Sequence, residues 1–164
     1  MKIFRSWLFA SIVCALSIVL GGCGGAYMTQ QEIETNGTKS YPVPKAQLVE
    51  SITVVLKGMG YEVVRSDPEK GVVTTARKEI GQSTYTAGVR GRSTSSSHSM
   101  TTGYYRQYLV RIEETSAGVS RVRVTPKVFI GERDVSEDKV WNIDGRGGER
   151  ELWHNIFRDL EASN

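Results

Sequence analysis

The sequence predicts an α+β domain behind an export segment. The domain is two-layered, with an antiparallel sheet of four to five strands and an N-terminal and a C-terminal helix on one face. Three observations predict it. Residues 45–57 and 149–162 place apolar side chains at helical spacing. Residues 61–65, 72–78, 104–114 and 119–130 between them follow a period of two or are rich in β-branched residues. Short Gly- and Pro-bearing connections join several of these segments in the manner of hairpins. Two amphipathic helices flanking such strands can both bury their stripes on one sheet face, in the order α-β4-α.

The N-terminus is an address. Lys2 and Arg5 stand before an almost wholly apolar run, Ser6 to Leu20, followed by the small residues Gly21 and Gly22. A basic start, a short apolar stretch and a small-residue cleavage site describe a secretory signal peptide over residues 1–22. The apolar run is shorter than the ~20 residues that span a bilayer comfortably. Leu20-Gly21-Gly22-Cys23 resembles a bacterial lipobox. The resemblance implies cleavage before Cys23, lipidation of its thiol and acylation of the new amino terminus. A cysteine carrying two or three acyl chains anchors almost permanently, because each buried methylene adds about 0.8 kcal/mol. Gly24 rather than Asp follows the cysteine. By resemblance to sorting in two-membrane bacteria, that points to the periplasmic face of the outer membrane. In a single-membrane cell the same anchor places the protein on the outer face of the plasma membrane.

Composition narrows the function classes. Cys14 leaves with the signal peptide and Cys23 carries lipid, which leaves no thiol for a disulfide framework, a nucleophile or a cysteine zinc site. The formal charge of +3 falls to +1 once Lys2 and Arg5 are removed, so charge is no argument for a nucleic-acid partner. No cofactor and no metal site is expected.

Residues 23–40 are small and polar, including Gly24-Gly25, Gln30-Gln31 and Asn36-Gly37. They predict a flexible tether with a random-coil reach of roughly 20–25 Å. The folded domain is expected over residues 41–164. Pro44 suits a helix start, and Leu48, Ile52, Val55 and Leu56 form a stripe that Gly58 and Gly60 end. Asp67-Pro68-Glu69-Lys70-Gly71 joins two strands as a hairpin turn.

Residues 79–103 break the pattern, with four glycines and the run Ser93-Thr94-Ser95-Ser96-Ser97-His98-Ser99. This composition predicts a mobile loop. A long hairpin that extends the sheet is the other reading of the same stretch. Tyr108, Val110 and Ile112 then face one way, as do Val122 and Val124, with Arg121 and Arg123 opposite. Pro126 predicts a bulge or an edge position. Residues 140–143 suggest a short further strand, and Gly145-Arg146-Gly147-Gly148 breaks it. Leu152, Trp153, Ile156, Phe157 and Leu160 then make the face of the last helix.

Leu56-Lys57-Gly58-Met59-Gly60-Tyr61-Glu62-Val63-Val64, followed by Asp67-Pro68-Glu69-Lys70-Gly71-Val72-Val73, resembles the opening of the helix-grip modules of BamC-type outer-membrane assembly lipoproteins. The resemblance covers about 40 residues and one module, and implies an accessory role in a larger complex.

No residue set announces catalysis. His98 reads as a solvated loop residue. His154, with Arg150 and Arg158 at i±4, reads as a solvated helix face. There is no Gly-x-Ser-x-Gly elbow. Gly145-Arg146-Gly147-Gly148 reads as linker and cap rather than an anion cradle. Arg77, Lys78, Arg90, Arg92 and Arg106 face only Glu79 in their stretch, and are the candidate contacts to acidic headgroups or to a partner. The expectation is a non-enzymatic envelope lipoprotein that binds another envelope protein or a cell-wall component. The alternative is a hydrolase or ligand-binding lipoprotein acting on cell-wall or lipid material.

Overall fold

The computed structural model describes residues 28–90, 95–136 and 148–163, with the side chains of 85–90 and 95–98 outside the description. The signal peptide, Cys23, Arg92, the expected strand at 140–143 and Gly145-Arg146-Gly147 therefore lie outside the described residues.

Among the described residues, three helices and seven strands form an α+β fold on one open antiparallel sheet. In chain order these are α1 (Gln30–Asn36), β1 (Thr38–Tyr41), α2 (Lys45–Gly58), β2 (Val63–Asp67) and β3 (Val72–Thr75). They continue as β4 (Lys78–Arg90), β5 (Ser95–Ser116), β6 (Val119–Ile130), β7 (Arg133–Asp134) and α3 (Glu149–Ser163). The sheet runs β1-β6-β5-β3-β2, with β4 also on β5 and β7 also on β6. This is more strands than the four or five expected. Of the additional ones, β7 is a two-residue pairing on β6, and β1 and β4 come from two segments that composition had set aside.

The first is the expected tether. Residues 30–41 form α1 and β1 instead of coil. Thr29 caps α1 by accepting the Glu32 N–H on its side chain. Gly37 ends the helix with its N–H on Ile33 O, and β1 pairs with β6 from Thr38↔Arg123 to Tyr41↔Ser120. A seven-residue helix is too short to hold itself in water. Its stability comes from buried Ile33 and from pairing of Glu32 with Arg150 and Glu34 with Arg123.

The second is residues 79–103. Twelve register pairs, from Lys78↔Arg106 to Arg90↔Ser95, join β4 to β5, so this stretch is an extended hairpin. Ser and Thr lack the apolar bulk to fill a core. They are nevertheless good strand residues when the partner strand satisfies the backbone.

The core sits between the helices and the sheet. Leu48, Val49, Ile52 and Leu56 of α2 and Trp153, Ile156 and Leu160 of α3 are sealed from solvent with Val73, Tyr108, Val110, Ile112, Val122 and Val124. The predicted stripes and alternation therefore locate the interior correctly. Pro126 takes an edge position and makes no bulge. The Val124 N–H bonds Gly37 O and the Val128 N–H bonds Ser136 Oγ, both on the outer edge of β6. Pro126 lies between them on that edge, where a residue without an N–H costs the ladder nothing.

One glycine is required by close approach. Gly71 ends the β2–β3 turn at φ +64°, and a Cβ there would lie 2.0 Å from Ile112 O. Its own carbonyl accepts the Ile112 N–H at 2.7 Å. Gly71→Ala is expected to destabilise the domain by more than the roughly 1–2 kcal/mol of left-handed strain alone. Chemical denaturation checks this: a loss within 1 kcal/mol, on the order of experimental error, would contradict it.

Candidate functional site

Of the five basic candidates, Arg77, Lys78 and Arg106 have described side chains, and each is engaged by the domain itself. Arg77 Nη1 is 2.7 Å from Glu132, and its guanidinium lies 3.8 Å from the Phe129 ring centre. Lys78 donates to Met59 O at 2.9 Å and sits 4.7 Å over the Tyr61 ring. Arg106 turns inward. Arg90 is described as β4 backbone only, and Arg92 lies outside the described residues. Cation–π and ion-pair contacts thus hold Arg77 and Lys78 against the domain's own surface.

Arg106 belongs to a buried polar cluster that the sequence reading missed. Its Nε is 2.5 Å from Oε1 of Glu149, whose side chain is 1% exposed. The Tyr108 hydroxyl donates to Glu149 Oε2 at 3.3 Å, and the Tyr61 ring packs edge-on against Tyr108 at 5.0 Å. A signal for this was present. Arg106 shares the parity of Tyr108, Val110 and Ile112, so period two already points it inward. Glu149 stood at a helix start, where dipole stabilisation of an exposed acid seemed sufficient explanation.

Burial pushes the Glu149 carboxyl above its usual range, against the opposing pull of Arg106 and the Tyr108 hydrogen bond. Burial raises the Tyr108 phenol strongly, and the Glu149 charge adds to it. For Arg106 burial works against the charged form, but Glu149 leads the contributions that carry its pKa upward overall. The cluster is packed inside the domain, and its chemistry is that of a buried ion pair pinning the start of α3 to β5.

Open depressions lie elsewhere. A groove of about 630 Å³ runs between the start of α1 and the Pro126 edge of β6, lined by Met28, Ile33, Lys127 and Asp134 among others. A second, of about 380 Å³, is bordered by Lys39, Arg150, His154, Arg158 and Glu161. His154 is exposed there, as the helix spacing predicted. Lys39 pairs with Glu161, Arg150 with Glu32 and Arg158 with Asp159. Among the described residues no group of three His, Cys, Asp or Glu is placed to hold a metal ion. Among the same residues no helix is long and apolar enough to cross a membrane.

The most unusual surface is the β4–β5 ribbon. β6 stops pairing with β5 at Tyr104↔Ile130, and β2 pairs only with β3. From residue 82 on β4 and to residue 103 on β5, the two strands pair only with each other. Residues 82–90 at ~3.4 Å each carry the ribbon about 30 Å past the sheet. Its sequence has no charged residue from Ile80 to Val89 or from Ser95 to Tyr105. Thr84 and Thr101 face each other with hydroxyls 3.3 Å apart, and Met100 is 71% exposed.

No protein-family model matches this chain, and no curated protein matches it significantly.

Proposed function

We propose that this chain is a lipid-anchored envelope protein whose small helix-grip-like domain carries the β4–β5 ribbon as a non-enzymatic binding arm for another envelope component. The observation that supports it most is the ribbon itself. It projects from a domain whose interior is filled by Trp153, Tyr108 and aliphatic side chains, and it offers backbone edges whose sequence carries no charge from Ile80 to Val89. Exposed edges of this kind are normally blunted by charge, proline or bulges, and they pair readily with an added strand. The lipobox-like Leu20-Gly21-Gly22-Cys23 supplies the anchor in this reading. With α1 starting at Gln30, only a short leader separates Cys23 from the fold. At up to ~3.6 Å per residue, the five steps from Cys23 to Met28 reach about 18 Å. The domain would then work close to the headgroups rather than far above them.

A photo-crosslinker at Met100 in the full-length protein in intact cells is expected to capture an envelope component, whereas one at exposed Glu113 is not. Equal yields at the two positions would remove the ribbon as the binding arm. Cys23→Ala is expected to retain the leader or to release the protein from the membrane fraction. Unchanged mass and unchanged fractionation would remove the anchor.

A further inference from the structure

We infer that the outer edge of β4 is a self-association edge, which pairs with the same edge of a second copy to join two ribbons into a four-stranded antiparallel sheet. The inference rests on the binding-arm reading above and names one occupant for one edge of that arm.

The two edges of the ribbon differ. On β5, the Gly131 N–H already occupies Gly103 O at 2.9 Å, where β6 turns away. On β4, no described strand covers the outer edge, since β2 pairs only with β3, and pairing with β5 runs without a register shift from Gly81↔Tyr104 to Arg90↔Ser95. A regular, unbulged strand presents its outward N–H and C=O groups at even spacing. β4 has an irregularity at Ile80, between Glu79 and Gly81, but from Gly81 to Val89 every device that natural edges use against pairing is missing: no lysine, no acid, no proline and no bulge.

Charge selects the occupant. A second copy brings the same uncharged segment, so a two-fold antiparallel contact sets no like charges against each other. Such a contact is self-complementary by symmetry and closes at two subunits on this edge. Threonine hydroxyls already meet across the ribbon at Thr84 and Thr101, and the same cross-strand pairing is available between copies. Membrane anchoring would confine copies to a plane and raise their effective concentration. Met100 and the β5 edge stay open for a different partner.

Cys14 and Cys23 are the only cysteines of the sequence, so Thr84→Cys supplies the sole free thiol of the mature lipidated chain. Under mild oxidation in native membranes, Thr84→Cys is expected to give a disulfide dimer severalfold above that of Glu113→Cys. Adding Gln82→Lys and Thr86→Lys, which set like charges along the edge, is expected to abolish the dimer band while circular dichroism and thermal unfolding stay unchanged. Equal dimer yield at Thr84 and Glu113, or a dimer indifferent to the two lysines, overturns the inference. A photo-crosslinker at Thr84 separates the two readings. A product of twice the lipoprotein's mass is expected, and a product of another mass overturns self-pairing while leaving the binding-arm reading in place. No product at either Thr84 or Met100 overturns both.

Discussion

Replacing Arg106 with methionine is expected to cost about 3–5 kcal/mol at neutral pH, because it leaves Glu149 charged and buried without its counterion. Glu149 is 1% exposed and Arg106 Nε is 2.5 Å away, so little water reaches the carboxylate to take over. A fall in Tm of roughly 10–20 °C should accompany the loss. The pH dependence has a definite sign. The folded pKa of Glu149 is raised, chiefly by burial, so its contribution is fully present below the unfolded carboxylate range and is lost as pH rises through the folded value. Removing Arg106 withdraws the main opposing charge and raises that pKa further. The variant should therefore approach wild type in mild acid and fall away from it toward neutrality. Arg106→Met combined with Glu149→Gln removes both charges and keeps an acceptor for the Tyr108 hydroxyl. It should recover most of the loss, since neutral replacements of a buried pair are often tolerated. Urea denaturation of the single and double variants between pH 4 and 8, about the carboxylate range and above, measures this. A double variant no more stable than Arg106→Met would show that packing, not charge, holds the junction.

Trp153→Ala is expected to cost a similar 3–5 kcal/mol, for a different reason. Trp153 is 1% exposed and its Nε1–H donates to Val124 O at 3.0 Å. The same residue of β6 gives its N–H to Gly37 O at 2.7 Å. A Cβ on Gly37 would lie 3.0 Å from the indole ring, so α1, β6 and α3 meet at this side chain. Truncation to alanine opens a cavity and frees the carbonyl together. Trp153→Phe keeps most of the bulk and loses only the hydrogen bond, so about 1–3 kcal/mol is expected. Losses of equal size for Phe and Ala would mean the hydrogen bond, not the volume, dominates. Hydrogen exchange at Gly37 and Val124 should accelerate in both variants, because that edge of β6 loses its cover.

Much of the fold was legible because much of it is local. The α2 and α3 stripes, the Asp67–Gly71 turn and the inward row Tyr108, Val110, Ile112 all follow from periods and turn chemistry within a few residues. α1 was less legible. Its Thr29-x-x-Glu32 capping signal was present, but a seven-residue segment with Ile33 as its one apolar residue cannot hold a helix until the core and Arg123 and Arg150 are brought to it. Of the candidate contacts, Arg106 was misassigned because a run of cations reads as a surface, whereas strand parity turns it toward the core.

By itself the sequence determined the α+β class, the helix faces and the buried rows of β5 and β6. Each depends on composition or on a period that a single segment carries. Only the tertiary structure decided that residues 30–41 join the fold, that 79–103 pair as a ribbon, and that Arg106 meets Glu149. Tyr108 and Glu149 stand 41 residues apart and share one hydrogen bond only after β5 and α3 pack. Polar segments lack the apolar signature that announces a strand or a buried site. Their structure is set by the partner that satisfies their backbone or charge, and that partner lies elsewhere in the chain.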